Sequence, residues 1–147
     1  MNADVMMPLA GFSLATWLVL EFFRGGVWRA DQRLCEIRRQ LHRPSVVAII
    51  PARNEAPTIG LTVASLMQQN YAGRIHVIVV DDGSDDGTAD VAGEWRNLRI
   101  VPGSRLPTGW TGKLWAVHQG LTQANLYHPD AEYILMTDAD IVHGPDN

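Results

Sequence analysis

Two carboxylates stand side by side where an apolar run ends. In IHVIVVDDGSDDGT, residues 75–88, Val79 and Val80 lead directly into Asp81 and Asp82. Further on, YILMTDAD (residues 133–140) delivers Asp138 and Asp140 after a second apolar run. Like charges this close repel, and keeping them ionised at low cost requires cations or hydrogen-bond donors. Two carboxylates spaced i, i+2 at a strand end can share one hard divalent ion. Mg²⁺ or Mn²⁺ takes few protein oxygens and keeps positions open for phosphate. Cationic groups that suit such a ligand are also present. Lys113 is the only lysine, in LPTGWTGKLWAVHQG. There Gly109 and Gly112 permit close backbone approach, and a helix beginning near Thr111 would add its positive end. Pro51, Arg53 and Glu55 come directly after the first apolar run of the globular part.

Each motif has a plainer reading. From Asp82 the pattern D-x-S-x-D-G opens like an EF-hand loop, but its twelfth position is Gly93 and a strand precedes it, which disfavours calcium. A turn with a helix cap accounts for Ser84, Asp85 and Asp86, with Ser84 or Asp86 accepting backbone N–H groups. That leaves Asp81 and Asp82 unexplained. His143, three residues beyond Asp140, is expected to be a loop histidine rather than a metal ligand. Taken alone, Lys113 reads equally well as an exposed lysine on a helix. G-x-G-x-x-G is missing after the first strand and G-x-x-x-x-G-K-[ST] is missing throughout, which argues against a dehydrogenase or a P-loop NTPase.

The elements that must position these groups alternate between strand and helix. VVAII (46–50) is the continuous apolar run of a parallel strand buried on both faces. Pro57 opens a helix with Ile59, Val63 and Leu66 on one face, expected to end near residues 71–73. Further strands are expected at 75–80, 98–101 and 133–137. A short helix is expected over 88–95, and another is marked by Leu114, Val117, Leu121 and Ala124. This order predicts an α/β fold, a mostly parallel sheet with helices on both faces. Ligands of such sheets bind beyond the carboxyl ends of the strands, where Arg53, Glu55, Asp81, Asp82, Asp138 and Asp140 all fall.

The preceding residues are of another kind. Met6 to Phe23 is an 18-residue apolar stretch with Glu21 as its only charge. As a helix it would reach about 27 Å, close to the thickness of a bilayer core. Basic residues come after it rather than before it and no cleavage site is evident, so a membrane anchor is expected over 1–24 rather than a signal peptide. Arginines 24, 29, 33, 38, 39 and 43 stand against Asp31 and Glu36. That excess of positive charge places the globular part on the cytoplasmic side of an inner membrane. Val27, Ala30, Leu34, Ile37 and Leu41 recur at helical spacing, predicting a basic amphipathic juxtamembrane helix over 25–44. Residues 45–147 form the globular part. The whole chain, 147 residues with a net charge of −4, lacks the basic face of a nucleic-acid binder. Its single cysteine, Cys35, excludes an internal disulfide.

Taken together, VVAIIPARNE, VIVVDDGSDDGT, GWTGKLWAVHQG and ILMTDAD resemble the family 2 glycosyltransferases of GT-A fold, over residues 45–147. The LPTGWTGKLW form and the N-terminal anchor resemble the hopanoid-biosynthesis-associated branch. The resemblance implies an inverting transfer of sugar from a nucleotide-sugar donor, a UDP-sugar, to a lipid or other membrane-associated acceptor, assisted by Mn²⁺ or Mg²⁺. It implies that Pro51, Arg53 and Glu55 border the nucleotide. Asp81 or Asp82 would bind uracil or ribose, Asp138 would lie near ribose and sugar, Asp140 and Asp138 would serve the metal, and Lys113 would support the donor site. Family enzymes continue well beyond the Asp-x-Asp, so the catalytic base is expected downstream of Asn147. The chain is then expected to be an incomplete GT-A domain, inactive by itself. Two rivals are a truncated, non-catalytic nucleotide-binding membrane protein and a Mg²⁺-dependent phosphotransferase. The second would carry its Asp-x-Asp after the first strand rather than the fourth.

Overall fold

The computed structural model describes residues 3–23 and 42–146. They fall into two compact units. The first holds helix α1 (Ala3–Phe23). Its 21 residues reach about 31 Å at 1.5 Å per residue. Met6–Phe23 has a mean hydropathy of 1.5, and none of that stretch is buried. Phe12, Trp17 and Phe23 are all exposed, so apolar side chains are not confined to the single stripe of a helix docked on a core. By length and composition α1 can cross a membrane. The basic amphipathic helix expected over 25–44 lies outside the described residues, apart from residues 42–44, which are not helical.

The second unit is a four-stranded parallel sheet in the order β3-β2-β1-β4. In chain order its elements are β1 (Val46–Ala52), α2 (Ala56–Met67), β2 (Ile75–Asp81), α3 (Thr88–Val91), β3 (Leu98–Pro102), α4 (Gly112–Tyr127) and β4 (Tyr133–Met136). β1 and β2 are the apolar runs of the sequence, and both are central. Alternate side chains therefore enter two separate cores. Ala48, Ile50, Val77 and Val79 pack against Ile59, Val63 and Leu66 of α2. Val47, Ile49, Ile78 and Val80 pack against Ala116 and Ala124 of α4.

Several boundaries differ from expectation for identifiable reasons. α2 stops at Met67 rather than near 71–73, and Asn70, just beyond it, donates its amide to the Pro145 carbonyl instead. The short helix covers only Thr88–Val91 and leaves Trp95 outside. In α4 the buried stripe is Ala116, Gly120 and Ala124, whereas Leu114 is 59 % exposed. Close approach decides this. A Cβ on Gly120 would lie 2.4 Å from Ile49 Cγ2, so small residues rather than leucines face the sheet. β4 is apolar yet exposed at every position; it pairs with β1 on one side, and its other edge has no partner among the described residues.

Candidate functional site

A cleft of about 250 Å³ opens at the carboxyl ends of β1, β2 and β4. β1 and the turn after it contribute Pro51, Ala52, Arg53 and Glu55. Asp82 enters from the end of β2, Lys113 and Ala116 from the first turns of α4, and Asp138, Ala139 and Asp140 from the segment after β4. The reason is topological. β1 and β2 are in register to their last pair, Ala52 with Asp81, so both chains leave the sheet at one level.

The two adjacent aspartates part at this point because side chains alternate along a strand. The Asp81 carboxylate turns back on its own loop and accepts the amide and the hydroxyl of Ser84. It does not line the cleft. Asp82 does, with its side chain only 19 % exposed. Its amide is tied to the Ala52 carbonyl at 2.8 Å, and its nearest cation is Arg53, Nη1 to Oδ2 3.9 Å. Gly112 stands against it: a Cβ there would lie 2.9 Å from Asp82 Oδ2. A methyl at Gly112 would thus push the Asp82 carboxylate aside, and glycine lets the two approach. Gly109 serves differently, by its φ of 89°, and no atom lies within 4 Å of where its Cβ would stand.

On the facing wall Lys113 Nζ meets Asp138 Oδ1 at 2.7 Å. Both are more than half exposed, so the pair is open to exchange with a ligand rather than locked. The Asp140 carboxylate is exposed and has no hydrogen bond or ion pair among the described residues. The backbone between them is firmly held: buried Thr62 of α2 donates its hydroxyl to the Ala139 carbonyl at 2.8 Å. His143 lies outside the cleft, hydrogen-bonded through Nε2 to the Thr137 hydroxyl at 3.0 Å.

The loop after Asp82 clamps the loop after β1. Asp86 Oδ2 accepts the Ala56 amide at the start of α2, and its Oδ1 accepts the amide and hydroxyl of Thr88 at the start of α3. The Thr88 hydroxyl, with the Ala56 amide next, holds the Asp86 carboxyl below the usual carboxylate range. Ser84 Oγ accepts the Asn54 amide, Thr88 Oγ1 accepts the Glu55 amide, and Asn54 Oδ1 accepts the Asp85 amide. Asn54, at φ 56°, is held in the left-handed region by its two bonds to this loop. Arg53 and Glu55 owe their places on the cleft rim to this clamp.

The fold therefore gathers Pro51, Arg53, Glu55, Asp82, Lys113, Asp138 and Asp140 into one cleft and leaves Asp81 out. Ser84 and Asp86 cap and turn, as a cap-and-turn reading of the loop requires. Sequence reasoning missed that one Asp86 carboxylate serves two helix starts, and that Thr62 holds the Asp-x-Asp segment. The signal for Asp86 is its place two residues before Thr88. Thr62 carries none beyond being a hydroxyl on the apolar face of α2.

The family model described as "Glycosyl transferase family 2" matches residues 47–147. A 4,4'-diaponeurosporenoate glycosyltransferase of Staphylococcus aureus is 37% identical over 97 residues, 66% of this chain and 24% of that protein. The chain thus spans about a quarter of the length of the curated relatives it matches. Among solved structures, S. aureus TarS 1-349 in complex with UDP-GlcNAc is 28% identical, with a TM-score of 0.53 over 65% of this chain and 26% of that one. A mannosyltransferase from Pyrobaculum calidifontis, in complex with GDP-Man and Mn2+, is 30% identical, with a TM-score of 0.51 over 68% and 28%. These neighbours share the GT-A arrangement of a parallel sheet flanked by helices, and they do not favour a phosphotransferase. The matched residues run from β1 past Asp140 and include the entire cleft: the chain belongs to glycosyl transferase family 2.

Proposed function

We propose that the cleft binds the nucleotide diphosphate of a UDP-sugar and that the protein transfers the sugar, with inversion, to an apolar acceptor dissolved in the membrane. The observation that carries this is the convergence of Asp82, Asp138 and Asp140 with Lys113 and Arg53 on one sheet edge of a family 2 domain. Asp82 is the carboxylate for the uracil or ribose, because Asp81 is already engaged by Ser84 and faces away. Pro51, Arg53 and Glu55 border the nucleotide.

The donor chemistry fits a divalent metal. Asp140 offers a carboxylate with no internal partner among the described residues, and Asp138 keeps one oxygen clear of Lys113. Mg²⁺ or Mn²⁺ asks little more of a protein when phosphates fill its other positions. Bound there by Asp140 and Asp138, it would stabilise charge on the departing diphosphate. Lys113, at the positive end of α4, would exchange its contact with Asp138 for a phosphate oxygen. α1 anchors the protein, with residues 45–147 on the cytoplasmic side of the inner membrane, as the arginines after it direct. The hopanoid-associated branch is the reading for the acceptor, supported by the LPTGWTGKLW segment; the relatives named for 4,4'-diaponeurosporenoate support an acceptor of a similarly apolar class.

Calorimetric titration of UDP, UDP-glucose and UDP-N-acetylglucosamine into the detergent-solubilised chain, with and without Mn²⁺, tests this. Binding of UDP that requires Mn²⁺ and is lost in Asp140→Ala is expected. Absence of binding in a folded sample, or binding indifferent to Mn²⁺ and to Asp140, would remove the assignment.

A further inference from the structure

The opposite edge of the same sheet has the reverse character. Arg74 and His76 stand at the start of β2, and Arg99 lies on β3, paired in register with Ile78. His76, Ile78 and Arg99 thus share the face covered by α4, whose last residues are Tyr127 and its C-cap His128. The His76 and His128 rings stack with centroids 4.0 Å apart at 28°. The Arg99 guanidinium lies over the Tyr127 ring, 3.5 Å from its centroid, which leaves the N–H edge of the fork free to donate. Between them is a cavity of about 200 Å³, lined by Ser45, Arg74, His76, Tyr127, His128 and the turn after them.

We propose that this cavity is a second anion site, which takes a phosphate-type oxyanion between Arg74, His76 and His128, with Arg99 held beside it on the Tyr127 ring.

The plainer explanation is that cations gather at the negative end of α4. That end carries about half an elementary charge and is matched by one cation, whereas Arg74 lines the cavity and Arg99 stands over Tyr127 beside it. Nor do local acids account for them. Asp130 lines the cavity, but its carboxylate makes no ion pair with Arg74 or Arg99 among the described residues. Glu132 is taken by His42 at 2.6 Å. Burial lowers the pKa of both imidazoles; His128 and Arg74 lower that of His76 further, and Arg99 that of His128. Burial first, and the neighbouring cations second, disfavour a second proton on either ring; each neutral ring already offers one N–H, and an anion between them would favour the second. Binding must therefore raise both pKa values and must tighten as pH falls. The oxyanion can come from free phosphate or from a lipid headgroup, and the chemistry recognised is the same.

The test tracks the imidazole C–H resonances of the full chain in phosphatidylcholine bicelles as pH is varied. Saturable upward shifts in the pKa of His76 and His128 on adding inorganic phosphate, with His42 and His143 unmoved, are expected. Arg74→Gln, at an exposed position in the lining, should weaken that response by about tenfold. The same shifts on replacing part of the lipid with phosphatidylglycerol, but not on adding phosphate, would identify the headgroup as the source. Unmoved His76 and His128 in both arms, or equal movement of all the histidines, would overturn the site. UDP binding at the cleft is a separate measurement, so the two proposals fail independently.

Discussion

Asp82 and Asp86 stand four residues apart in one loop, and they have opposite circumstances. Asp86 is saturated: three donors from two helix starts converge on it. Asp82 is more enclosed, yet its side chain has only Arg53 at 3.9 Å as an ionic partner among the described residues. Asp140, across the cleft, has none among them. Exposure does not separate these roles, since Asp86 is the more exposed of the loop pair. Donor count does. A carboxylate whose lone pairs are filled by its own chain holds structure, and one left under-coordinated in a cleft is available to a ligand.

The comparison predicts a clean division between binding and stability. The largest effect is expected at the under-coordinated acids. Asp140→Ala should weaken Mn²⁺-dependent UDP binding by about a hundredfold, as loss of a charged contact worth roughly 2–3 kcal/mol requires. Its melting temperature should stay within about a degree or two, because the carboxylate makes no internal bond among the described residues. Calorimetry and a thermal melt on one sample check both halves. A large fall in melting temperature would make Asp140 a structural acid like Asp86.

At Asp86 the order reverses. Asp86→Ala leaves the Ala56 and Thr88 amides without their acceptor, so the melting temperature should fall by several degrees, while UDP affinity of the folded fraction, with Asn54 and Glu55 still held by Ser84 and Thr88, should fall far less than in Asp140→Ala. The pH dependence has a definite sign. The folded carboxyl titrates below its ordinary value, so its contribution is fully present above that value and is lost as pH falls through the lower, folded one. The stability gap between wild type and Asp86→Asn should therefore narrow only below about pH 4, near the ordinary carboxylate value. Melts at stepped pH would show it, and a gap that closes near neutrality would contradict it.

The same division marks how much was legible in the sequence. β1 and β2 were readable because central parallel strands are apolar on both faces, and topology then brought the carboxylates at their ends together. Glu55, Asp82, Lys113, Asp138 and Asp140 line one cleft. Asp81 and Asp82 were equivalent at that level, since only the pleat decides which points into the cleft. The inner face of α4 was misplaced, because leucines signal burial by size whereas Gly120 is buried for want of it. The roles of Asp86 and Thr62 depend on partners 30 and 77 residues away, and no local pattern encodes such distances.

The finest probe is Gly112→Ala. Its methyl would stand 2.9 Å from Asp82 Oδ2, closer than a carbon and an oxygen tolerate, and no other atom is within 4 Å. The carboxylate must rotate or the first turn of α4 must shift by a few tenths of an ångström. Neither disturbs the cores, which lie against Ala116 and Ala124. Alanine should even favour the helix slightly, by up to about 1 kcal/mol, less at this first position than in an interior. Stability should hold or rise while UDP affinity falls about tenfold, the size of one misplaced hydrogen bond to a charged group. Loss of stability together with affinity would mean that Asp82 is part of the scaffold. Unchanged affinity with a stable fold would mean that Asp82 only lines the cleft, and the nucleotide contact would then have to be sought at Arg53 or Glu55 instead.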